Sequence, residues 1–347
     1  MFPIFNLKSY FDWIVYGPQA LPHPAGPPPY SQDSPFESSE FTPYTENSNI
    51  VTLSDGRKIG YAQYGTPTGK PVIFLHGMPG SRLDAGHFDD LGKELGARVI
   101  GIDRPGIGWS TPHPSRTLLD HAKDVEAVAD HLQLNNFRIM GVSAGGPYAL
   151  ACAKALPREK LLAVSIMCGF CPLEIDTSLK GTAVRMGLGL MYPFLPNVVR
   201  LLFQNSPIGR LDLTDETRLD MLLKQVAASK PKNAAGKVER DATKQDPGGV
   251  LRALRSCREA FSQDSNAPGF DGRLIGQRYY FKIEDIRKDL PFQLWYGTLD
   301  GTTPINHGRL IAERLGERAQ YRESEDTHGS LQVRFKREAW EALLRSG

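Results

Sequence analysis

The feature that most constrains the fold is an apolar segment that runs into a glycine-rich turn, in the sequence FRIMGVSAGGPYALACA at residues 137–153. The pattern predicts a buried strand followed at once by a helix. Ser143 lies at the turn, in a G-x-S-x-G sequence with Gly141 and Gly145 on its two sides. A serine in such a turn holds its hydroxyl free above the sheet, so we interpret Ser143 as a candidate nucleophile. The alternative is a turn serine without a chemical role.

The rest of the chain repeats this alternation of short apolar runs with segments of helical spacing. The runs KPVIFL, ARVIGI, FRIMGV, LLAVSIM and PFQLWYG predict strands that are buried on both faces. Strands that alternate with helices indicate βαβ units. We therefore predict an α/β fold with a mostly parallel central sheet flanked by helices.

The predicted domain organisation follows from where this alternation starts and stops. Residues 1–48 begin apolar and become rich in Pro, Ser, Glu and Thr, which predicts an N-terminal arm and a Pro-rich linker. Residues 49–170 and 289–347 carry the alternating pattern and form the predicted α/β core. Residues 171–288 show few strand patterns, which predicts a helical insertion in one domain rather than a second independent domain.

Charge and hydropathy exclude several classes of function. The 347 residues include 41 basic and 39 acidic ones without a basic stripe, so we expect a small-molecule substrate and no nucleic acid. Residues 1–18 contain one Lys and no cleavage-site pattern, and residues 181–203 contain two prolines and two arginines. We expect neither a secretory signal nor an integral membrane segment, and hence a cytoplasmic protein. The sequence does not indicate an oligomeric state.

Four cysteines occur, and two of them, Cys168 and Cys171, form a C-x-x-C pair. Such a pair can indicate redox chemistry or half of a zinc site. Pro172 directly follows the pair, and the sequence contains no second C-x-x-C or H-x-H pair. We interpret both cysteines as small residues that end a buried strand, and we expect no metal and no cofactor.

A serine nucleophile needs a base to take its proton, and the chain has eight histidines. His328 lies in the sequence ESEDTHGSLQ, after the last strand pattern and before the last helix pattern. His307 is its competitor, but it falls inside the helix that follows Pro304. Because the loops after parallel strands meet at one edge of a sheet, we predict His328 as the base.

A carboxylate must hold the base in the correct tautomer. Asp300 directly follows the buried strand pattern LWYGTL, which places it at the same edge as the nucleophile and the base. We interpret Asp326 as a loop cap, whereas Glu174 or Asp176 would serve if the acid followed the preceding strand. We predict Asp300, and the resulting chain order is Ser…Asp…His.

The loop FLHGMPGSR, residues 74–82, follows another buried strand pattern. The tetrahedral intermediate of acyl transfer carries an oxyanion that needs two positioned N–H donors. We predict the backbone N–H groups of Met78 and Ala144 as these donors, with Gly77 allowing the substrate a close approach. The loop DRPGIGWS lacks the glycine spacing of a phosphate-binding loop, and we interpret Trp109 as a wall of the substrate pocket.

The segments LHGMPGSR, DRPGIGWS, GVSAGGPYALACA, LWYGTLD and THGS together resemble the α/β-hydrolase superfamily, in particular its fold-1 branch. The resemblance covers about residues 49–347. It implies the same triad and the same two oxyanion donors, and it implies that the helical insertion is a cap over the site. Proline iminopeptidases share the HG-x-PGSR pattern, but they usually have a tryptophan in the serine turn, which is absent here.

The functional hypothesis is a serine hydrolase that cleaves an ester or related acyl bond through an acyl-enzyme. The apolar residues 181–203 favour a small substrate with a hydrophobic acyl group. Two alternatives remain open at this point. The same triad could transfer or cyclise the acyl group, or the chain could be a non-catalytic binding protein with the hydrolase fold.

Overall fold

The computed structural model describes the greater part of the chain. The described residues are 47–172, 174–188, 206–231, 233–263 and 267–346. Nearly all of the predicted N-terminal arm lies outside them, as do residues 189–205 of the apolar segment.

Eight strands form one sheet, and the α/β fold predicted from the sequence is confirmed. Strands β1 and β2 form an antiparallel hairpin, β2 pairs antiparallel with β4, and every other pairing is parallel. The spatial order is β1-β2-β4-β3-β5-β6-β7-β8. The strands are β1 (Ser48–Thr52), β2 (Lys58–Gly65), β3 (Lys70–Leu75), β4 (Ala97–Ile102), β5 (Phe137–Val142), β6 (Leu161–Met167), β7 (Phe292–Gly297) and β8 (Ala319–Ser324).

Helices cover both faces of the sheet, and five α-helices lie between β6 and β7 in the described part of the chain. A 3₁₀ helix, Arg82–Phe88, precedes the first α-helix. The α-helices of the described residues are α1 (Asp89–Leu95), α2 (Leu118–His131), α3 (Gly145–Ala155), α4 (Leu179–Met186), α5 (Asp215–Ala228), α6 (Ala234–Gln245), α7 (Pro247–Ala260), α8 (Ala267–Gly276), α9 (Ile305–Leu315) and α10 (His328–Arg345). None of them is long and apolar enough to cross a bilayer.

Successive side chains of the central strands enter two different apolar layers, as the period of a strand requires. In β3, Ile73 and Leu75 lie in the layer that α2, α3 and α9 cover. Val72 and Phe74 lie in the opposite layer, which α1 and α10 cover. Trp340 of α10 is fully buried there, and truncating such a ring to alanine typically costs about 3–5 kcal/mol. The two apolar layers pack on both faces of the sheet and hold the carboxyl ends of the parallel strands together at one edge.

Helix α2 begins at Leu118, and two nearby residues could cap it by residue type. Ser115 is a plausible N-cap by residue type, but Thr117 is the residue that caps Leu118 and the rest of the helix. Thr117 and Asp120 cap each other, because each side chain accepts a hydrogen bond from the other residue's backbone N–H. Reciprocal caps of this kind satisfy two free N–H groups at once, which favours Thr117 over a serine without such a partner.

The helices between β6 and β7 are anchored to the core by buried ion pairs. Asp271 of α8 contacts Arg104, which follows β4, with 2.5 Å between the Oδ2 and Nε atoms. Glu259 of α7 contacts Arg82 with 2.6 Å between Oε1 and Nη1. Breaking a buried pair by removing one partner typically costs about 3–5 kcal/mol. These helices are therefore held in a defined position against the loops that follow β3 and β4.

Candidate active site

Ser143 occupies the sharp turn between β5 and α3. Its φ angle is 53°, in the left-handed region that costs a non-glycine residue energy and that clusters at functional sites. The turn is held because the Ser143 N–H donates to the Met167 carbonyl at 2.9 Å and its carbonyl accepts from Gly146 at 3.0 Å. A side chain at Gly145 would lie 2.1 Å from the Leu75 carbonyl oxygen, so only glycine permits this close contact with the next loop.

His328 and Asp300 form a hydrogen-bonded pair at the same edge of the sheet. The His328 Nδ1 atom lies 2.7 Å from Asp300 Oδ2. The other oxygen, Oδ1, accepts hydrogen bonds from the N–H groups of Thr302 and Thr303 at 2.7 and 2.8 Å. Because the Asp300 side chain is 1% exposed and that of His328 is 22% exposed, the carboxylate is enclosed while the imidazole stays accessible. This arrangement fixes the ring with Nδ1 toward the acid and leaves Nε2 facing the site.

A glycine at the end of β7 brings the loop of His328 next to the loop of Asp300. A side chain on Gly297 would lie 2.1 Å from the carbonyl oxygen of Asp326. Asp326 itself accepts a hydrogen bond from Ser330, in agreement with the loop-capping role predicted for it. The His328 ring is thus set by backbone packing as well as by its carboxylate.

Two backbone N–H groups beside Ser143 are available for a substrate oxygen. Within the described residues, neither Met78 nor Ala144 donates its N–H to a protein acceptor. A side chain on Gly77 would lie 4.0 Å from Ser143 Oγ, so the loop after β3 runs directly past the serine. Free N–H groups near a nucleophile are what an oxyanion hole requires. The pairing of Met78 with Ala144 in that role stays a prediction.

The peptide that carries the Met78 N–H is held from its carbonyl side. The Gly77 carbonyl accepts from Arg104 Nη2 at 2.9 Å and from His76 Nδ1 at 2.8 Å. His76 is fully buried, and burial, reinforced by the Arg104 charge, lowers its pKa well below the usual value, so the ring is a neutral donor. Although burial alone would raise the pKa of Asp271, Arg104 and Arg116 lower it to about 2. A charged carboxylate in α8 therefore holds the guanidinium that fixes this peptide.

Cys168 also lies at this site, although its sequence pattern predicts only a small residue packed at the end of a strand. Its Sγ atom lies 3.7 Å from His328 Nε2, at the end of β6 and beside the strand that leads to Ser143. The Sγ, imidazole and Asp300 carboxylate atoms all lie within 4.8 Å of one another. A metal ion there would have to replace both hydrogen bonds of the imidazole. The only signal in the sequence was a cysteine directly after a buried strand.

His307 and Asp176, the rejected base and a rejected acid, also lie together. Their Nε2 and Oδ2 atoms are 3.2 Å apart and both side chains are 0% exposed. The His307 Nδ1 atom accepts from the Cys171 N–H at 3.4 Å, and burial lowers the pKa of His307 to about 4. The ring is therefore neutral and sealed in the core, with Asp176 beside one nitrogen and the Cys171 N–H on the other.

Trp109 lies in the loop after β4, where the sequence placed it. The residue is 5% exposed, and the Arg82 guanidinium carbon lies 4.0 Å from its ring centroid. A side chain on Gly60 would lie 2.7 Å from Trp109 Cβ. The ring thus packs between core residues, and its contact with substrate stays a prediction.

Comparison with known proteins identifies the family. A family model described as the alpha/beta hydrolase fold matches residues 70–331. The chain belongs to the α/β-hydrolase fold family. Its members share a sheet of this topology, and the elbow serine and the loops described above lie within the matched range.

Two curated relatives carry the name proline iminopeptidase. A proline iminopeptidase of Xylella fastidiosa is 34% identical over 125 residues, which are 35% of this chain and 38% of that relative. The chain thus spans little more than a third of the length of that curated relative. A putative proline iminopeptidase of Mycoplasma pneumoniae is 31% identical over 289 residues, covering 78% of this chain and 88% of the relative.

Solved structures extend the likeness to nearly the whole fold. An esterase from Exiguobacterium antarcticum superposes with a TM-score of 0.55 at 18% identity, covering 85% of this chain and 97% of the esterase. At this identity the likeness shows a shared fold. The family match establishes the α/β-hydrolase fold, while the activity of this chain is a separate question.

Proposed function

We propose that the chain is a serine hydrolase that cleaves an ester or a related acyl bond of a small molecule through an acyl-enzyme. The observation that carries the proposal is the pairing of His328 with Asp300 at 2.7 Å, at the sheet edge where Ser143 occupies a strained turn. Acyl transfer needs a base held by an enclosed carboxylate and a nucleophile beside unpaired N–H groups.

The proposed reaction uses these groups in two stages. In the first, Ser143 Oγ attacks the carbonyl carbon while His328 Nε2 takes the hydroxyl proton, and Asp300 stabilises the resulting imidazolium. The oxyanion binds the N–H groups of Met78 and Ala144. His328 then returns the proton to the leaving group. In the second stage His328 activates a water molecule that releases the acid and regenerates the serine.

We also propose that residues 171–288 form a cap over this site. Glu239 of α6 supports this placement, because it accepts a hydrogen bond from the Thr327 hydroxyl, one residue before His328. A side chain on Gly329 would lie 2.5 Å from Glu239 Oε1, so the helix packs closely on the loop of the base. A hydrophobic acyl group remains the proposed substrate feature, on the basis of the apolar composition of residues 181–203.

Cleavage of an N-terminal prolyl peptide bond is the second candidate. The relatives named proline iminopeptidase favour it, above all the 31% identical one that matches 78% of the chain. The exposed carboxylate of Glu239 would offer a negative charge for a substrate ammonium group close to His328. The same triad serves both reactions, so substrate choice is what separates them.

A fluorophosphonate tests the chemistry before any substrate is known. We expect one covalent adduct on the wild type and none on Ser143→Ala, measured by intact mass. Ser165→Ala is the matched control, since Ser165 is a buried serine in the neighbouring strand β6, and it should be labelled like the wild type. A folded wild type that takes no adduct would contradict the proposal.

Substrate assays then distinguish the two candidates. We expect turnover of p-nitrophenyl esters, with kcat/KM rising as the acyl chain lengthens because more apolar surface is buried. Prolyl p-nitroanilide is the competing substrate. If the anilide is turned over and every ester is cleaved only weakly, the second candidate, an aminopeptidase, replaces the esterase proposal.

A further inference from the structure

Arg104, which follows β4, binds the loop after β3 through two consecutive carbonyl groups. Its Nη1 and Nη2 atoms donate to the carbonyl oxygens of His76 and Gly77 at 2.6 and 2.9 Å. A guanidinium is a planar and rigid fork, so two bonds to neighbouring carbonyls fix both the position and the orientation of the peptide that joins Gly77 to Met78. The N–H of this peptide is the predicted oxyanion donor of Met78.

A carboxylate from α8 binds the remaining side of this guanidinium. Asp271 Oδ2 accepts from Arg104 Nε at 2.5 Å. Its other oxygen, Oδ1, accepts from Arg116 Nη2 at 2.7 Å and from the Tyr148 hydroxyl at 2.9 Å. The carboxylate is fully buried and both of its oxygens are bonded, so it has one defined position. Because Arg104 lies between this carboxylate and the loop carbonyls, a change at Asp271 is transmitted to the Gly77 peptide.

The bonds on the carbonyl side of this peptide also strengthen its N–H as a donor, because hydrogen bonds in a chain polarise one another. The Gly77 carbonyl accepts from Arg104 and from His76 Nδ1, the second at 2.8 Å. The bond from Arg104 has a charged donor, and such bonds are roughly twice as strong as neutral ones. Among the described residues the Met78 N–H has no protein acceptor, so this polarisation is available to a bound ligand.

A second buried ion pair between the same insertion and the core provides an internal comparison. Glu259 of α7 binds Arg82 at 2.6 Å, and the side chains of Arg82 and Arg104 are both 1% exposed. Arg82 also donates to Asp103 and Ser48, whereas Arg104 donates to the loop carbonyls. Both pairs anchor helices of the insertion, but of these two the pair from α8 is the one that also holds the predicted oxyanion peptide.

We propose that Asp271 is a positioning residue that acts through Arg104 to hold and polarise the peptide of the Met78 N–H, so that the packing of α8 on the core organises the oxyanion hole. The oxyanion in this statement rests on the function proposed above, whereas the holding of the peptide does not. Asp271 belongs to the segment proposed as the cap, and the cap would thereby contribute to the rate as well as to substrate binding.

This role has a kinetic signature that a purely structural role lacks. The negative charge on the substrate oxygen develops in the transition state, so a weaker Met78 donor lowers kcat and leaves KM nearly unchanged. The base and its carboxylate, His328 and Asp300, are not altered. The pH at which the rate is half-maximal should therefore stay that of the wild type, while the plateau of the profile falls.

The first experiment observes the Met78 amide directly by nuclear magnetic resonance and needs no substrate. The chain has seven methionines, so protein labelled at the methionine nitrogen gives few amide signals, and Met78→Leu identifies the one of Met78. We expect Asp271→Asn to move the Met78 amide proton upfield by more than any other methionine amide. Glu259→Gln is the matched control, because it perturbs the other ion pair, and it should leave the Met78 signal in place. A Met78 signal that is unmoved in Asp271→Asn, or moved equally in Glu259→Gln, would overturn the proposal.

Arg104→Lys keeps the test decisive if Asp271→Asn does not fold. A lysine retains the positive charge beside Asp271, but it cannot bind two neighbouring carbonyls with the geometry of the fork. We expect the Met78 amide proton to move upfield in this variant as well. An unmoved signal would show that the guanidinium does not hold the peptide.

The second experiment measures the rate of fluorophosphonate labelling of Ser143, normalised to folded protein. Removing an oxyanion donor outright typically costs about 10²–10³-fold, and we expect roughly a tenfold slower reaction for Asp271→Asn because the Met78 N–H is weakened and not removed. Glu259→Gln should be labelled at the wild-type rate. Equal losses in both variants, or a shifted half-maximal pH in Asp271→Asn, would show a general effect on the structure and overturn the positioning role.

The double variant tests whether Asp271 acts through Arg104. Two residues that act through one contact have non-additive effects. We therefore expect Asp271→Asn combined with Arg104→Lys to be labelled no more slowly than Arg104→Lys alone. Losses that multiply would mean that Asp271 acts by another route, and the proposed connection would be wrong.

The two experiments fail separately. If the folded wild type is not labelled, the hydrolase proposal fails, while the Met78 amide still decides whether Asp271 holds the peptide. If the wild type and both variants are labelled alike and the Met78 signal does not move, the hydrolase proposal stands and the role of Asp271 is wrong.

Discussion

Two of the histidine–carboxylate pairs among the described residues, His328 with Asp300 and His307 with Asp176, follow neighbouring strands of the sheet, and we expect only the first to act in catalysis. His328 bonds Asp300 through Nδ1 and keeps a side chain that is 22% exposed. His307 lies against Asp176 with both side chains 0% exposed. In both pairs a base lies close to an acid, so this proximity does not distinguish them.

The difference is in what the second ring nitrogen meets. In His307 the Nδ1 atom accepts a backbone hydrogen bond from Cys171, and the Phe170 ring covers the imidazole with 5.8 Å between centroids. In His328 the second nitrogen points toward the edge that Ser143 and Cys168 share. A histidine sealed in the core stabilises a fold, whereas one with a nitrogen directed into an accessible site can exchange protons.

The largest expected effect is on turnover when each histidine is replaced. His328→Gln should lower kcat/KM by roughly 10⁴–10⁶-fold, because the serine loses its base. His307→Gln should leave turnover close to that of the wild type, since its ring contacts no reacting group. Both rates are measured on the best ester found and normalised to folded protein. A dead His307 variant beside an active His328 variant would reverse the assignment.

A smaller effect is expected when the carboxylates are replaced by amides. Asp300→Asn should lower kcat by about 10⁴-fold, because the amide favours the wrong imidazole tautomer. Asp176→Asn keeps the shape of the second pair and should lower the unfolding midpoint in urea without a comparable loss of kcat. A loss of kcat in Asp176→Asn beside an active Asp300→Asn would mean that the acid of this chain follows β6 and not β7.

Most of the candidate site could be predicted because the local sequence indicates where each strand ends. Ser143 and Asp300 each follow a recognisable apolar run, whereas His328 follows the short polar strand β8. Parallel strands bring such positions to one edge. The start of α2 at Leu118 could not be predicted to the residue, because Ser115 and Thr117 are both suitable caps by residue type. Only the reciprocal bond with Asp120 separates them, and that bond depends on backbone geometry.

The contacts that cross between distant segments could not be predicted. Asp271 binds Arg104, 167 positions away in the chain, and nothing in either local sequence marks the partner. The contact of Cys168 with His328 spans 160 positions, and the small-residue interpretation of Cys168 was reasonable for a strand end. Such pairs form only when the helices between β6 and β7, and the loop before α10, pack on the core. Hydrophobic periodicity does not predict that packing.

The smallest expected effect sharpens the comparison, because the two histidines should change stability with pH in opposite directions. The pKa of His307 is about 4 in the folded protein, below the value of about 6.5 in an unfolded chain. As the pH falls from about 6.5 to 4, the unfolded state binds the proton first, so stability is lost over this window, by up to ~3 kcal/mol from this group. The free energy of unfolding in urea, measured at several pH values, should therefore fall less steeply in His307→Gln than in the wild type.

His328 should act in the reverse sense. Its folded pKa is raised by Cys168 and Asp300, so its contribution is fully present below the unfolded value and is lost as the pH rises through the folded one. His328→Gln should therefore lose more stability than His307→Gln on the acid side. If both variants flattened the acid slope alike, the imidazole of His328 would be neutral over this pH range in the folded protein, and the opposite pH dependence expected for the two histidines would be wrong.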